Sequence, residues 1–132
     1  MGKGGKCRVL IVEDEAMISM LIEDMVVDLG YEVVGPAARL DHALTLALQA
    51  EIDIGMLDIN VDGSVVFPVA DVLRFRGIPF VFSTGYDARS LPERFRSSLT
   101  LSKPFSYNNL ETTLRSALEE ATCSPEVSRL LG

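Results

Sequence analysis

The chain has 132 residues and a formal net charge of −7, with a sequence pI near 4.6. Hydrophobic residues make up 48% of it and charged residues 23%, which is typical of a globular domain and excludes a disordered chain. Because no basic run and no apolar run of membrane-spanning length occur, we expect neither nucleic acid nor a membrane among its partners.

The two ends of the chain are expected to lie outside the folded domain. Residues 1–6 carry no signal-peptide pattern and are expected to be a disordered N-terminus. The expected location is the cytoplasm, where Cys7 and Cys123 would be reduced packing residues. The domain is expected over residues 7–122, followed by a C-terminal tail at 123–132.

The first part of the chain predicts two units of a strand and a helix. The apolar run at 8–12 predicts a strand buried on both faces, and the helical pattern after it ends at Gly30. A short strand at 31–35 precedes a second helix, for which Asp41 is the expected N-cap.

The third unit begins with a strand at 52–57. The helix that follows is expected to contain Pro68 in its first turn and to end at Gly77. The run at 78–83 is rich in branched and aromatic residues and predicts a fourth buried strand.

The helical pattern is weakest at 89–98. Pro92 and scattered arginines there predict a short or mobile fourth helix. A last strand is expected at 99–102, and Ser106 is expected to cap a final helix that continues through Ala121.

Five strands that alternate with helices predict an α/β fold. Buried strands joined by right-handed crossovers form a parallel sheet with helices on both faces. Five strands suit the doubly wound, flavodoxin-like strand order 2-1-3-4-5. Ligands of such sheets bind outside the carboxyl ends of the strands.

Polar side chains follow four of the five strands at that edge. They are Glu13 and Asp14 after the first strand, Asp58 and Asn60 after the third, Ser83 and Thr84 at the end of the fourth, and Lys103 after the fifth.

This set of groups suits phosphoryl transfer. Crowded carboxylates repel one another, and Mg²⁺ removes that cost because it binds carboxylate oxygens. Asp58 could then be a nucleophile towards phosphorus, with Lys103 neutralising charge and Thr84 donating a hydrogen bond to a phosphoryl oxygen. Taken singly, each residue is better explained as a helix cap, a turn residue or a solvated charge. Their combination favours the functional interpretation.

The residues also resemble a known family, the receiver domain of two-component response regulators. The likeness covers about residues 7–121, and the stretches that carry it are VLIVEDE (9–15), MLDIN (56–60), FSTGYD (82–87) and LSKPF (101–105). It implies that Asp58 accepts phosphate from a histidine kinase or a histidine phosphotransfer protein. It also implies that Glu13 and Asp14 serve Mg²⁺, with the backbone carbonyl of Asn60 completing the metal site. Thr84 and Lys103 match the residues that contact the phosphoryl group, and the resemblance implies a cis Lys103–Pro104 bond.

The chain departs from the family at its switch. The family's usual switch aromatic lies three residues before the lysine, where this chain has Thr100. FSTGYD resembles instead the Phe-x-Thr-Gly-Tyr variant of stand-alone receivers, often associated with general stress signalling in alphaproteobacteria. Thr84, Gly85 and Tyr86 are therefore the switch candidates, although Tyr86 could equally be a loop aromatic that covers the core.

The predicted function is that of a single-domain response regulator. It would catalyse only its own phosphorylation and dephosphorylation, and so is not expected to be an enzyme with an external substrate. Its output would be binding to a downstream protein or removal of phosphate from a shared kinase. Two alternatives stay open: a phosphorylation-independent interaction module on the same fold, and a Mg²⁺-dependent phosphatase. The phosphatase would usually have a second acid where Asn60 stands.

Overall fold

The computed structural model describes residues 7–85 and 91–119, and the structural statements below concern these ranges. The strands are β1 (Arg8–Val12), β2 (Glu32–Ala37), β3 (Ile54–Asp58), β4 (Asn60–Val61), β5 (Ser64–Val65), β6 (Phe80–Thr84) and β7 (Leu99–Ser102). The helices are α1 (Ala16–Asp28), α2 (Leu40–Gln49), α3 (Phe67–Phe75) and α4 (Tyr107–Glu119).

Five of the strands form one parallel sheet. Its order is β2-β1-β3-β6-β7, which confirms the predicted flavodoxin-like order once the short β4–β5 pair is set apart. β4 and β5 form a separate antiparallel pair that the sequence analysis did not predict.

The central strands supply residues to cores on both faces of the sheet. Leu10 and Val12 of β1 pack with residues of α2 and α3, while Val9 and Ile11 pack with residues of α1 and α4. Side chains alternate between the two faces of a strand, so a strand covered on both sides needs apolar residues throughout. This explains the unbroken apolar run at 8–12 and confirms helices on both faces.

β2 extends further than the sequence predicted. It continues past Gly35 to Ala37, and its register against β1 shifts between Leu10 and Val12. The Lys103–Pro104 bond is cis, as the family resemblance implies. The Gly35–Pro36 bond is cis as well. The extension matters for the site because the Glu13 amide donates to the Ala37 carbonyl at 3.0 Å.

One of the two predicted helix caps is wrong. α2 begins at Leu40, and Arg39 rather than Asp41 is its N-cap residue. Asp41 lies in the first turn, where its carboxylate accepts hydrogen bonds from the Arg39 side chain and from the His42 amide. The Ser106 cap of α4 is confirmed by the bond that the Asn109 amide donates to Ser106 Oγ.

The segment between β6 and β7 contains no α-helix within its described residues, 91–98. It forms a single 3₁₀ turn at Glu93–Phe95, so the predicted fourth helix is reduced to that turn. Phe95 is fully buried and stacks on Phe67 at a ring distance of 5.6 Å. Arg94 ties the turn to α3 through paired hydrogen bonds to Asp71.

Some of the expectations for the ends of the chain fall outside the described residues. These are the disordered N-terminus at 1–6, the tail at 123–132 and the helical position of Ala121. Cys7 is buried and disulfide-bonded, so the expected reduced thiol is wrong. Among the described helices, none combines the length and the apolar character needed to cross a bilayer.

Candidate functional site

Three carboxylates meet at the carboxyl edge of the sheet. Glu13 and Asp14 follow β1, and Asp58 is the last residue of β3. β1 and β3 are adjacent, with Val12 opposite Leu57, so the ends of the two strands lie side by side. One carboxylate oxygen from each acid lies within 4.8 Å of the others.

Glu13 is the buried member of the group. Its side chain is 1% exposed, and its Oε1 accepts a hydrogen bond from Lys103 Nζ at 2.8 Å. The other oxygen, Oε2, accepts a hydrogen bond from the Glu15 amide at 3.2 Å. Burial raises the pKa of Glu13 above its ordinary value, against the hydrogen bond from Lys103 and together with the charge of Asp58.

Lys103 reaches the acids from the end of β7. Its backbone amide donates to the Thr84 carbonyl at 2.9 Å, which fixes the lysine against the end of β6. Its Nζ lies 3.1 Å from Asp58 Oδ2 as well as close to Glu13. Burial acts to lower the pKa of Lys103, but the hydrogen bond with Glu13 and the charge of Asp58 outweigh it, so the pKa is raised.

The charges of this group suit a divalent cation. Three ionised carboxylates and one ammonium leave a net charge of −2 (−3 + 1). Clustered carboxylate oxygens are the hard donors that Mg²⁺ prefers in proteins. The donor set therefore fits the expected metal, with Glu13, Asp14 and Asp58 as the carboxylates that could hold it.

Asp14 and Asp58 also contact the short β4–β5 pair. The Asp62 amide donates to Asp14 Oδ2 at 2.8 Å, and the Asn60 amide lies 3.4 Å from Asp58 Oδ1. Asn60 is predicted from the sequence for its backbone carbonyl, whereas Asp62 is not predicted. The Asp62–Gly63 pair is a hairpin-turn signal that could have revealed this contact.

The switch candidates are only partly described. Thr84 is buried at the end of β6, and Ser102 lies opposite it in the register of the neighbouring strand β7. Gly85 is exposed, and a Cβ at this position would meet no atom within 4 Å, so packing does not require glycine there. Tyr86 lies outside the described residues.

A cleft opens beside the carboxylates, between α1 and the end of β2. It has a volume of about 230 Å³ and is lined in part by Asp14, Met20 and Pro36. Met17 and Met20, on the solvent side of α1, are 84% and 64% exposed. An approaching partner would therefore meet apolar side chains directly next to the acidic group.

Comparison with known proteins gives both sequence relatives and structural neighbours. No family model matches the chain. The transcriptional regulatory protein PdtaR of Mycobacterium tuberculosis is 35% identical over 109 residues, which cover 78% of this chain and 52% of PdtaR. The chain thus spans about half the length of the curated relatives it matches.

Two solved structures match over nearly their whole length. The solution structure of SdrG from Sphingomonas melonis Fr1 is 37% identical, with a TM-score of 0.77, 87% of this chain covered and 98% of SdrG covered. The receiver (REC) domain of the response regulator PhyR from Erythrobacter litoralis is 34% identical, with a TM-score of 0.79 and coverage of 94% and 98% respectively.

Proposed function

The chain belongs to the receiver-domain family of response regulators, and we propose that it is a switch operated by Mg²⁺-dependent phosphorylation of Asp58. The observation that carries this proposal is that carboxylate oxygens of Glu13, Asp14 and Asp58 lie close together. Lys103 Nζ lies within ion-pair distance of two of these acids, Glu13 and Asp58. Such a group places negative charge around Asp58 at the end of its strand and keeps the Lys103 ammonium beside it.

In the proposed reaction a carboxylate oxygen of Asp58 attacks the phosphorus of a phosphohistidine. The new bond joins that oxygen to phosphorus, and the phosphorus–nitrogen bond of the donor breaks. The imidazole leaves with the electron pair of that bond and takes up a proton. In the later dephosphorylation, water attacks the phosphorus, the bond between phosphorus and the Asp58 oxygen breaks, and inorganic phosphate leaves, which restores the carboxylate of Asp58.

Lys103 and Thr84 have separate proposed roles. The ammonium of Lys103 lies 3.1 Å from Asp58 Oδ2 and would neutralise the charge that a phosphoryl group brings to that residue. Thr84 is held next to Lys103 by the bond between its carbonyl and the lysine amide. Its hydroxyl would donate a hydrogen bond to a phosphoryl oxygen. Through that bond, Thr84 and Gly85 would transmit the conformational change caused by phosphorylation to the residues that follow β6.

Glu13, Asp14 and Asp58 would hold Mg²⁺ together with the backbone carbonyl of Asn60. When bound, the cation offsets the negative charge of the carboxylates and of the transferred phosphoryl group. The receiver domain of the sensor histidine kinase PA1611 from Pseudomonas aeruginosa, which shares this fold at 22% identity, holds a magnesium ion in its active-site cleft. The donor set of this chain supports the same cation.

The proposed partners are proteins. A histidine kinase or a histidine phosphotransfer protein in the cytoplasm would supply the phosphate, and the exposed Met17 and Met20 beside the site are where we expect it to make contact. The output would be binding to a downstream protein, or removal of phosphate from a shared kinase. We propose no action on an external substrate.

Phosphate uptake from a small phosphodonor tests the proposal. The full chain is incubated with acetyl phosphate and Mg²⁺, and bound acid-labile phosphate is measured for the wild type and for Asp58→Asn. Asp24→Asn is the matched control, because Asp24 is an exposed acid on α1. We expect uptake by the wild type and by Asp24→Asn and none by Asp58→Asn.

This assay, together with a second assay that supplies a phosphoester, separates the proposed switch from its two alternatives. A wild type that takes up no phosphate would indicate a phosphorylation-independent interaction module. Rapid turnover of an external phosphoester would indicate a Mg²⁺-dependent phosphatase.

A further inference from the structure

We propose that the β4–β5 hairpin is a positioning element that holds the carboxylate of Asp14 ready for the cation. The hairpin spans Asn60–Val65 and lies directly after Asp58. This inference rests on the proposed Mg²⁺ site and deepens it, because it assigns a role to the turn at Asp62, which the proposed reaction does not use.

The contact that carries the inference joins distant parts of the chain. The Asp62 amide donates to Asp14 Oδ2 at 2.8 Å across 48 residues of sequence. Asp14 is exposed, so its side chain would otherwise be free to rotate in solvent. With Oδ2 engaged by the amide, Oδ1 remains for a cation. Second contacts of this kind orient metal-binding carboxylates and tune their affinity.

The hairpin can hold Asp14 because it is itself fixed in place. Its turn residues, Asp62 and Gly63, have φ values of 52° and 80°, as a tight two-residue hairpin turn requires. Val61 within the hairpin and Val66 just after it are fully buried. The Val66 amide donates to the Ile59 carbonyl at 2.8 Å and closes the base of the hairpin.

The hairpin reaches two of the three acids proposed to hold the cation. Its Asn60 amide lies 3.4 Å from Asp58 Oδ1, while the Asp62 amide binds Asp14. Two backbone N–H groups of one rigid segment therefore face the carboxylates from β1 and β3. A backbone donor of this kind depends on the conformation of the turn and not on the side chain at position 62.

Substitutions at Asp62 can separate the backbone from the side chain. Asp62→Asn keeps the amide and tolerates positive φ, but it removes the carboxylate. Asp62→Pro removes the N–H and fixes φ near −65°, far from the observed 52°. If the backbone positions Asp14, only the proline variant should weaken cation binding strongly.

Calorimetric titration of the full chain with Mg²⁺ measures that difference. We expect Asp62→Pro to weaken Mg²⁺ binding by roughly 10- to 100-fold, as for losses of other contacts that orient metal ligands. Asp62→Asn should stay within about 3-fold of the wild type, since it keeps the hydrogen bond that orients the ligand. Wild-type affinity in Asp62→Pro would overturn the inference, and so would an equal loss in Asp62→Asn, because the side chain would then be responsible.

A second measurement needs no cation and no altered hairpin. In metal-free ¹⁵N-labelled protein, Asp14→Ala should shift the amide proton of Asp62 upfield and speed its exchange with solvent. An Asp62 amide that does not respond to Asp14→Ala would overturn the inference even if Asp62→Pro does not fold. A responding amide in a protein that binds no Mg²⁺ would instead show that the proposed function has failed while the contact exists.

Discussion

The Lys103 ammonium lies 3.1 Å from Oδ2 of Asp58, although 45 residues separate the two in sequence. The lysine side chain is 17% exposed and that of Asp58 12%, so water screens the pair only in part. Lys103 thus has two effects on the proposed site. It places a positive charge beside Asp58, and it reduces the net negative charge available to attract a cation.

Replacement of Lys103 by alanine should change these two properties in opposite directions. The net charge of the group would change from −2 to −3 (−2 − 1), so Mg²⁺ should bind more tightly than to the wild type. Phosphate uptake should slow on the order of 10²-fold, because the charge that stabilises the transferred phosphoryl group is lost. Calorimetry and the phosphodonor assay measure the two effects. Arg115→Ala, on the exposed face of α4, is the control. Weaker Mg²⁺ binding by Lys103→Ala would contradict the proposed charge balance.

Mg²⁺ binding should depend on pH through Glu13. Burial raises the pKa of this carboxyl above its ordinary value of 4.5. In metal-free protein, the resulting stability is fully present below pH 4.5 and is lost as pH rises through the raised pKa. Mg²⁺ requires the ionised form, so its affinity should increase over the same range and binding should release protons.

Titrations with Mg²⁺ from pH 4.5 upwards would measure this dependence. Glu13→Gln, which cannot ionise, should bind Mg²⁺ more weakly and with a flatter pH profile. A Glu13→Gln variant with the steep wild-type profile would mean that another group provides the pH dependence.

Thr84 should matter for the response to phosphorylation more than for the phosphorylation itself. Thr84→Ala removes the buried hydroxyl, and Thr84→Ser keeps it. We expect both variants to take up phosphate at Asp58. Only Thr84→Ser should show the wild-type changes in the amide spectrum of the Leu91–Ser98 segment. If Thr84→Ala shows the same changes as the wild type, the hydroxyl does not transmit the signal.

Two glycines at the sheet provide a test of the packing. A Cβ at Gly55 in β3 would lie 2.6 Å from Leu73 Cδ1 and 3.4 Å from Phe80 Cβ. Gly55→Ala should therefore lower the free energy of unfolding by about 1–3 kcal/mol, the usual cost of overpacking a core. Gly85→Ala meets no atom within 4 Å and should leave stability within about 0.5 kcal/mol of the wild type. Urea denaturation measures both, and equal stability of the two variants would show that β3 adjusts to the added methyl group.

The sequence predicted the sheet and the grouping of the acids for the same reason. Strands covered on both faces are apolar throughout, so their ends are easy to locate, and the ends of adjacent parallel strands meet at one edge. Glu13 and Asp58 could therefore be placed together without knowledge of side-chain contacts. Their proposed roles remain predictions.

Three features were missed, each for a different physical reason. The β4–β5 pair has only two residues in each strand, too few for a periodic pattern, although its Asp-Gly turn is a recognisable signal. The segment before β7 becomes a 3₁₀ turn that places Phe95 among the aromatic side chains of α3 and β6. Asp41 has the side chain of an N-cap, but the N-cap position is Arg39, two residues earlier, and the Asp41 carboxylate pairs with the Arg39 side chain instead.

The most direct test of the central claim is to locate the phosphate on the chain and to measure its dependence on the cation. Acetyl phosphate is added to the full chain with Mg²⁺ or with EDTA, the acyl phosphate is trapped by borohydride reduction, and the modified residue is identified by peptide mass spectrometry. The account predicts a single modification at Asp58 that appears with Mg²⁺ and disappears with EDTA. Modification at another residue, or equal modification of Asp58 in EDTA, would contradict it.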